Sequence, residues 1–270
     1  MMKKIAFILL CLTGMNSLSF QAYGALVSES VDYELNGQRF IAYLAYDDAI
    51  KTKRLGVLVV HEWWGHNAYA RKRADMLAEL GYTALALDMY GEGKQADHPE
   101  DAGKFAGEVK KNMVNAEARF VAAKNLLMEH YTVDVNKIAA VGYCFGGGLV
   151  LDMIRRGVDL VAAVSFHGSL ATQSPAPPNL INNLIKTKVL ICHGGSDPFI
   201  KPEHITAFKK EMKSARVDME FKTYANAKHS FTNPGADAYG KQFNLPLEYN
   251  AEADKQSWQD MQDFLRRTLK

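Results

Sequence analysis

An excess of either charge is missing from this 270-residue chain, in which 32 Lys and Arg face 30 Asp and Glu for a net of +2. That balance provides no basic field for nucleic acid. Cysteine is scarce, and three residues are too few for a disulfide framework. Apolar runs long enough to cross a bilayer, roughly 18 residues or more, are also absent. So are repeats, low-complexity tracts and composition breaks that would mark a linker. What is present, 48% hydrophobic and 23% charged residues, is the balance of an ordinary globular protein. It excludes a disordered tail, a collagen-like rod and a disulfide-dense mini-protein.

The N-terminus reads as a leader. Met1-Met2-Lys3-Lys4 is a short basic start, Ile5 to Leu12 is apolar, and Ala22-Tyr23-Gly24 puts small residues at positions −3 and −1 before Ala25. The expectation is a signal peptide over 1–24, a periplasmic or secreted mature protein, and one domain over 25–270. Lys3 and Lys4 carry the whole net charge and Cys11 is the odd cysteine, so both features leave with the leader.

Beyond the leader, strands and helices alternate. Asn36-Gly37 between Val31–Leu35 and Gln38–Tyr46 predicts a hairpin. Leu55–Val60, Thr83–Leu87, Ile138–Val141, Leu160–Phe166, Lys188–Cys192 and Met219–Tyr224 read as buried strands. Helical spacing runs over Asn67–Leu80, Glu100–Tyr131 as one long helix, Glu203–Ser214 and Ala251–Leu269. A Pro-rich loop carries Pro175, Pro177 and Pro178, and Thr232–Glu248 reads as a loop able to act as a lid. The fold class is therefore α/β, with a mostly parallel central sheet and helices on both faces.

Cys144 lies in Gly142-Tyr143-Cys144-Phe145-Gly146, directly after a buried strand and before a helix. This is the G-x-S-x-G nucleophile elbow with cysteine in place of serine. Its glycines allow a tight turn, and the helix N-terminus favours a thiolate and offers N–H groups to an oxyanion. A thiol needs a base, and the base needs an orienting acid. In hydrolase chain order these are Asp197, on the loop that Lys188–Cys192 opens into, and His229, after the last strand. His61-Glu62-Trp63-Trp64-Gly65-His66 has its histidines five apart rather than four, which spoils a zinc helix. At a strand end it suits an oxyanion loop instead, with the Trp63 N–H paired with that of Phe145. Trp63, Trp64, Tyr90, Tyr143 and Phe231 are the expected aromatic pocket.

Four segments together resemble the dienelactone hydrolase family, α/β-hydrolases with a cysteine nucleophile. They are His61–Gly65 (HEWWG), Gly142–Gly147 (GYCFGG), Gly194–Pro198 (GGSDP) and Ala227–Phe231 (AKHSF). The resemblance implies a Cys144, Asp197, His229 triad, oxyanion amides at Trp63 and Phe145, and a Glu62 carboxylate touching the resting thiol. Dienelactone-cleaving members carry two arginines that hold a substrate carboxylate. Here those places are taken by Glu92 and Asn233, and Arg71 and Arg73 read as outward helix positions. The expected activity is hydrolysis of a small ester or lactone that need not bear a carboxylate, with no cofactor, metal, nucleic acid or membrane partner. Thioester cleavage, acyl transfer and a redox-responsive or binding role on the same scaffold remain alternatives.

Overall fold

The structure is a computed structural model that describes residues 26–171 and 185–269. The expected signal peptide over 1–24 and the expected Pro-rich loop with Pro175, Pro177 and Pro178 fall outside the described residues. β1 (Leu26–Leu35) and β2 (Gln38–Asp47) form the expected hairpin, with Asn36 and Gly37 both at positive φ in the turn. β3 (Arg54–Val60), β4 (Thr83–Leu87), β5 (Val133–Tyr143), β6 (Ala162–Phe166), β7 (Lys188–Gly194) and β8 (Met219–Tyr224) complete one sheet. Its order is β1-β2-β4-β3-β5-β6-β7-β8. The β1–β2 and β2–β4 pairs are antiparallel, and every pair from β4 to β8 is parallel. Parallel strands need crossovers, which bring helices onto both faces.

Strand alternation divides the core in two. Leu58, Val60, Ile138 and Ala140 point to the face covered by α2 (Pro99–Lys111), α3 (Met113–Glu129), α4 (Phe145–Arg155) and α5 (Pro202–Ser214). Val57, Val59, Ala139, Val141 and Tyr143 point to the face covered by α1 (Ala68–Glu79) and α7 (Ala251–Thr268). Both sets are almost wholly buried, which is why these strands read as continuous apolar runs.

The structure corrects three expectations. The long helix over 100–131 is two, because Asn112 sits at φ −131°, ψ 79° and ends α2. Its side chain then accepts the Asn115 N–H at 3.0 Å and starts α3. The stretch 232–248 is not all loop, since α6 (Ala236–Phe243) lies within it. Arg73 is buried rather than outward, because α7 covers that side of α1. Its guanidinium pairs with Asp254 at 2.6 Å and packs over the rings of Tyr69, Tyr143 and Trp258.

Asn112→Ala should lower unfolding free energy by about 1 kcal/mol, the usual worth of an N-cap. Urea denaturation measures this, and an unchanged midpoint would mean the break between α2 and α3 does not depend on the cap.

Candidate active site

The candidate site forms at the C-terminal edge of the parallel strands, where β3, β5, β6 and β7 end within reach of one another. After β5 the chain turns sharply into α4, and Cys144 takes φ +52°, ψ −114° at the turn. A non-glycine residue there is strained by about 1–3 kcal/mol. Close packing enforces the turn: a Cβ on Gly142 would lie 2.1 Å from Gly146 O, and one on Gly146 only 2.3 Å from Val60 O. The Cys144 N–H donates to Phe166 O at 3.0 Å, which ties the elbow to β6.

Three predicted residues converge. Cys144 Sγ lies 3.0 Å from His229 Nε2, and His229 Nδ1 lies 2.8 Å from Asp197 Oδ2. The second Asp197 oxygen accepts the Phe199 N–H at 2.9 Å, so the carboxylate is fixed from its own turn. The His229 loop is pinned through a bridge to Leu247 and by the Glu248 N–H donating to His229 O. Burial opposes charge on the His229 ring, but the Cys144 sulfur, and then Asp197, outweigh it and push its pKa up to about 10. The two partners thus favour the protonated imidazole, with Nε2 directed at the sulfur.

Phe145 is the first residue of α4, so its N–H has no acceptor within the helix. Trp63 lies in the turn after β3, its carbonyl held by Tyr90 Oη at 2.9 Å. The Gly146 N–H donates to His61 O at 3.1 Å, which draws the two turns together. Both histidines of the HEWWGH segment are committed locally. His61 donates to Glu62 O and accepts the Met89 N–H, while His66 Nε2 bonds Ala86 O.

The Glu62 carboxylate is buried and is held by two donors from the His229 loop, and among the described residues it makes no hydrogen bond to Cys144. Ser230 Oγ donates to one oxygen at 2.9 Å and Asn233 Nδ2 to the other at 2.5 Å. Burial raises its pKa, and the Asn233 and Ser230 hydrogen bonds oppose that rise. Glu92 is misplaced by sequence reasoning: it occupies an exposed turn at φ +59° with its N–H on Arg39 O, outside the pocket.

The cleft beside Cys144 encloses about 260 Å³ and is mostly apolar, with Trp63, Phe145, Phe199, Ile200, Leu245 and Leu247 among its walls. Lys110 also lines it, its ammonium 5.9 Å from the Phe145 ring centre. Four expected pocket residues do not line it. Tyr143 and Phe231 belong to the core beneath the opposite sheet face. Tyr90 is buried behind Phe145, with ring centres 5.7 Å apart. Trp64 is stacked at 4.3 Å on Tyr239 of α6 and is turned away from the cleft. Phe199 was missed. It stands two residues past Asp197, 48% exposed, with its ring edge-on to His229 at 4.9 Å. An aromatic residue so near the acid on a sheet-edge loop was the available signal.

A sulfur, an imidazole and a carboxylate in this chain, opening on an apolar cleft, can carry out acyl transfer. The dienelactone hydrolase family model matches residues 40–269. The chain belongs to the dienelactone hydrolase family. Among solved structures it is similar to m3DLH, at 35% identity and a TM-score of 0.84, covering 91% of this chain and 99% of that one. A dienelactone hydrolase-like promiscuous phosphotriesterase from metagenomic libraries matches at 33% identity with the same TM-score and coverages. An Aquifex aeolicus (strain VF5) protein bearing a carboxymethylenebutenolidase name is 28% identical over 77% of this chain and 88% of its own. This dienelactone hydrolase-family protein is thus a hydrolase of ester or lactone bonds.

In an NMR titration of the His229 ring, the proton should leave near pH 10 in the wild type. In Cys144→Ala the midpoint should fall, since the sulfur is the largest influence raising it. A wild-type midpoint at the ordinary 6.5 would contradict the raised His229 pKa.

Proposed function

We propose that the protein cleaves neutral esters or lactones with apolar acyl groups through a Cys144–His229–Asp197 triad and an acyl-enzyme, and that it acts after export. The observation that carries this reading is the unbroken chain from Cys144 Sγ to His229 at 3.0 Å and on to Asp197 at 2.8 Å, beside an apolar cleft.

In the first half-reaction the sulfur's electron pair forms a bond to the carbonyl carbon, and the carbonyl electrons move onto oxygen. The Trp63 and Phe145 amides are the donors for that oxyanion, each of a kind worth about 10²–10³ in rate. The tetrahedral intermediate then collapses, the C–O bond breaks, and the leaving alkoxide takes the proton from His229 Nε2. In the second half-reaction neutral His229 removes a proton from water, and the hydroxide attacks the thioester. The acid is released and the sulfur regains its place beside the imidazolium. Asp197 keeps Nδ1–H directed towards itself, which leaves Nε2 facing the reacting atoms.

Substrate charge follows from the walls. Asn233 is committed to Glu62, Glu92 lies elsewhere, and among the described residues Lys110 lines the cleft as a single ammonium and no arginine does. A carboxylate next to the scissile carbonyl therefore lacks the paired guanidinium that would hold it. Leu245 and Leu247 narrow the cleft from the lid side and set acyl length. The name of the phosphotriesterase neighbour makes phosphotriesters the second class to assay.

Cys144→Ala should cut hydrolysis of p-nitrophenyl butyrate by about 10³-fold or more, and a wild-type rate in that variant would overturn the triad. Leu247→Trp should depress hexanoate turnover about tenfold more than acetate turnover. Equal losses would place the acyl chain elsewhere. Export is supported by the basic, apolar and small-residue order of residues 1–24. N-terminal sequencing of the periplasmic fraction should start at Ala25, whereas an intact Met1 in the cytoplasm would contradict export.

A further inference from the structure

His167 is a second histidine beside the nucleophile turn, and the reaction as derived makes no use of it. It follows β6 directly, is only 1% exposed, and holds φ +40°, a conformation that costs a non-glycine residue energy. Its N–H donates to Cys192 O at 2.9 Å, which fixes it across the β6–β7 gap. Its ring then spans two separate parts of the site. Nδ1 lies 3.1 Å from the Cys144 backbone nitrogen, and Nε2 lies 2.7 Å from Thr232 Oγ1. Thr232 is three residues past His229 on the same loop. The ring also meets His229 edge-on at 5.4 Å and Phe231 at 5.2 Å.

The hydrogen-bond roles are determined by chemistry. A neutral imidazole has one donor and one acceptor, and an N–H faces Nδ1, so Nδ1 accepts. The ring proton is then on Nε2 and is donated to Thr232 Oγ1. Thr232 Oγ1 is in turn 2.6 Å from Tyr69 Oη, which accepts from Arg73 Nε at 3.2 Å. The Thr232 carbonyl accepts from Arg73 as well, and Arg73 is anchored to Asp254 on α7. Burial, and then the charges of His229 and Arg73, hold the His167 pKa well below its ordinary value. The neutral tautomer this clamp requires is therefore the one present.

We propose that His167 is a positioning residue, a clamp that fixes the Cys144 elbow and the His229 loop relative to each other by bonding the Cys144 N–H on one side and Thr232 Oγ1 on the other. The inference rests on the Cys144–His229 reading given above. Its physical content is that the 3.0 Å sulfur–imidazole distance joins two separate loops. An error of about 1 Å between such groups costs about 100-fold in rate. The clamp is not what keeps the elbow folded, because the Cys144 N–H keeps Phe166 O as a second acceptor.

The test is a double-mutant cycle in the full chain, with His167→Leu, Thr232→Val and the double variant, plus His167→Asn. Read out kcat and KM for p-nitrophenyl butyrate, the rate of Cys144 alkylation by iodoacetamide, and Tm. His167→Leu should lower kcat by about 10- to 100-fold, leave KM within about twofold, and slow alkylation. His167→Asn should regain part of the loss, because the amide oxygen it introduces can accept the Cys144 N–H in place of Nδ1. Thr232→Val should also reduce kcat, and the loss in the double variant should be smaller than the sum of the single losses, since both changes break the His167–Thr232 bond. A folded His167→Leu with wild-type kcat and alkylation overturns the clamp, as do strictly additive losses that follow Tm. If His167→Leu does not fold, Thr232→Val decides: unchanged kcat and alkylation would overturn the clamp. Wild-type turnover by Cys144→Ala is a separate result that would overturn the underlying triad instead.

Discussion

The first turn of α4 crosses the end of β3 at backbone contact, and the site is built on that crossing. A single Cβ at Gly146 would come within 2.3 Å of Val60 O, so no other residue type fits without separating the helix from the strand. The crossing forces the bend between β5 and α4, and the bend puts Cys144 at φ +52° above the sheet edge. The Phe145 amide and the HEWWG turn are brought together by the same contact, through the Gly146 N–H on His61 O. Strain of about 1–3 kcal/mol at Cys144 persists because the buried parallel strands on either side cannot shift to relieve it.

Beneath the elbow lies a cluster of buried polar side chains. Asp197, His229, Glu62, His167, Arg73 and Thr232 are all nearly inaccessible to solvent. Each finds partners: Asp197 with His229, Glu62 with Ser230 and Asn233, Arg73 with Asp254 and Thr232 O. A buried charge with a missing partner costs several kcal/mol, so such a network specifies one loop arrangement more than it adds stability. The loop from His229 to Asn233 contributes to most of these bonds. Its side chains face Cys144, Glu62 and His167 in turn, which is how a segment without regular structure holds an imidazole in place.

Much of this was legible from the sequence, for reasons that are local. Asn36-Gly37 specifies its turn by its own dihedral preferences, and Gly142 and Gly146 mark the elbow because only glycine fits there. Asp197 and His229 could be placed because parallel strands end on one edge, so residues just after them meet. The misses share another cause. Tyr143 and Phe231 adjoin Cys144 and His229 in sequence, but both rings pack into the core on the α1–α7 side of the sheet, Tyr143 from the end of β5 and Phe231 from a turn. Arg73 looked outward because α1 alone does not reveal that α7 covers it. The Asn112 break, the Glu62 partners and the stacking of Trp64 on Tyr239 are tertiary facts, set by segments far apart in the chain.

The central claim is that Cys144 becomes acylated during turnover. Rapid acid quench of the enzyme with p-nitrophenyl butyrate, followed by intact-mass and peptide mass spectrometry, tests it most directly. The account predicts a mass gain of one butyryl group on the peptide carrying Cys144, appearing with the first equivalent of p-nitrophenol and absent in Cys144→Ala. Release of that equivalent with the acyl group on another side chain would contradict it.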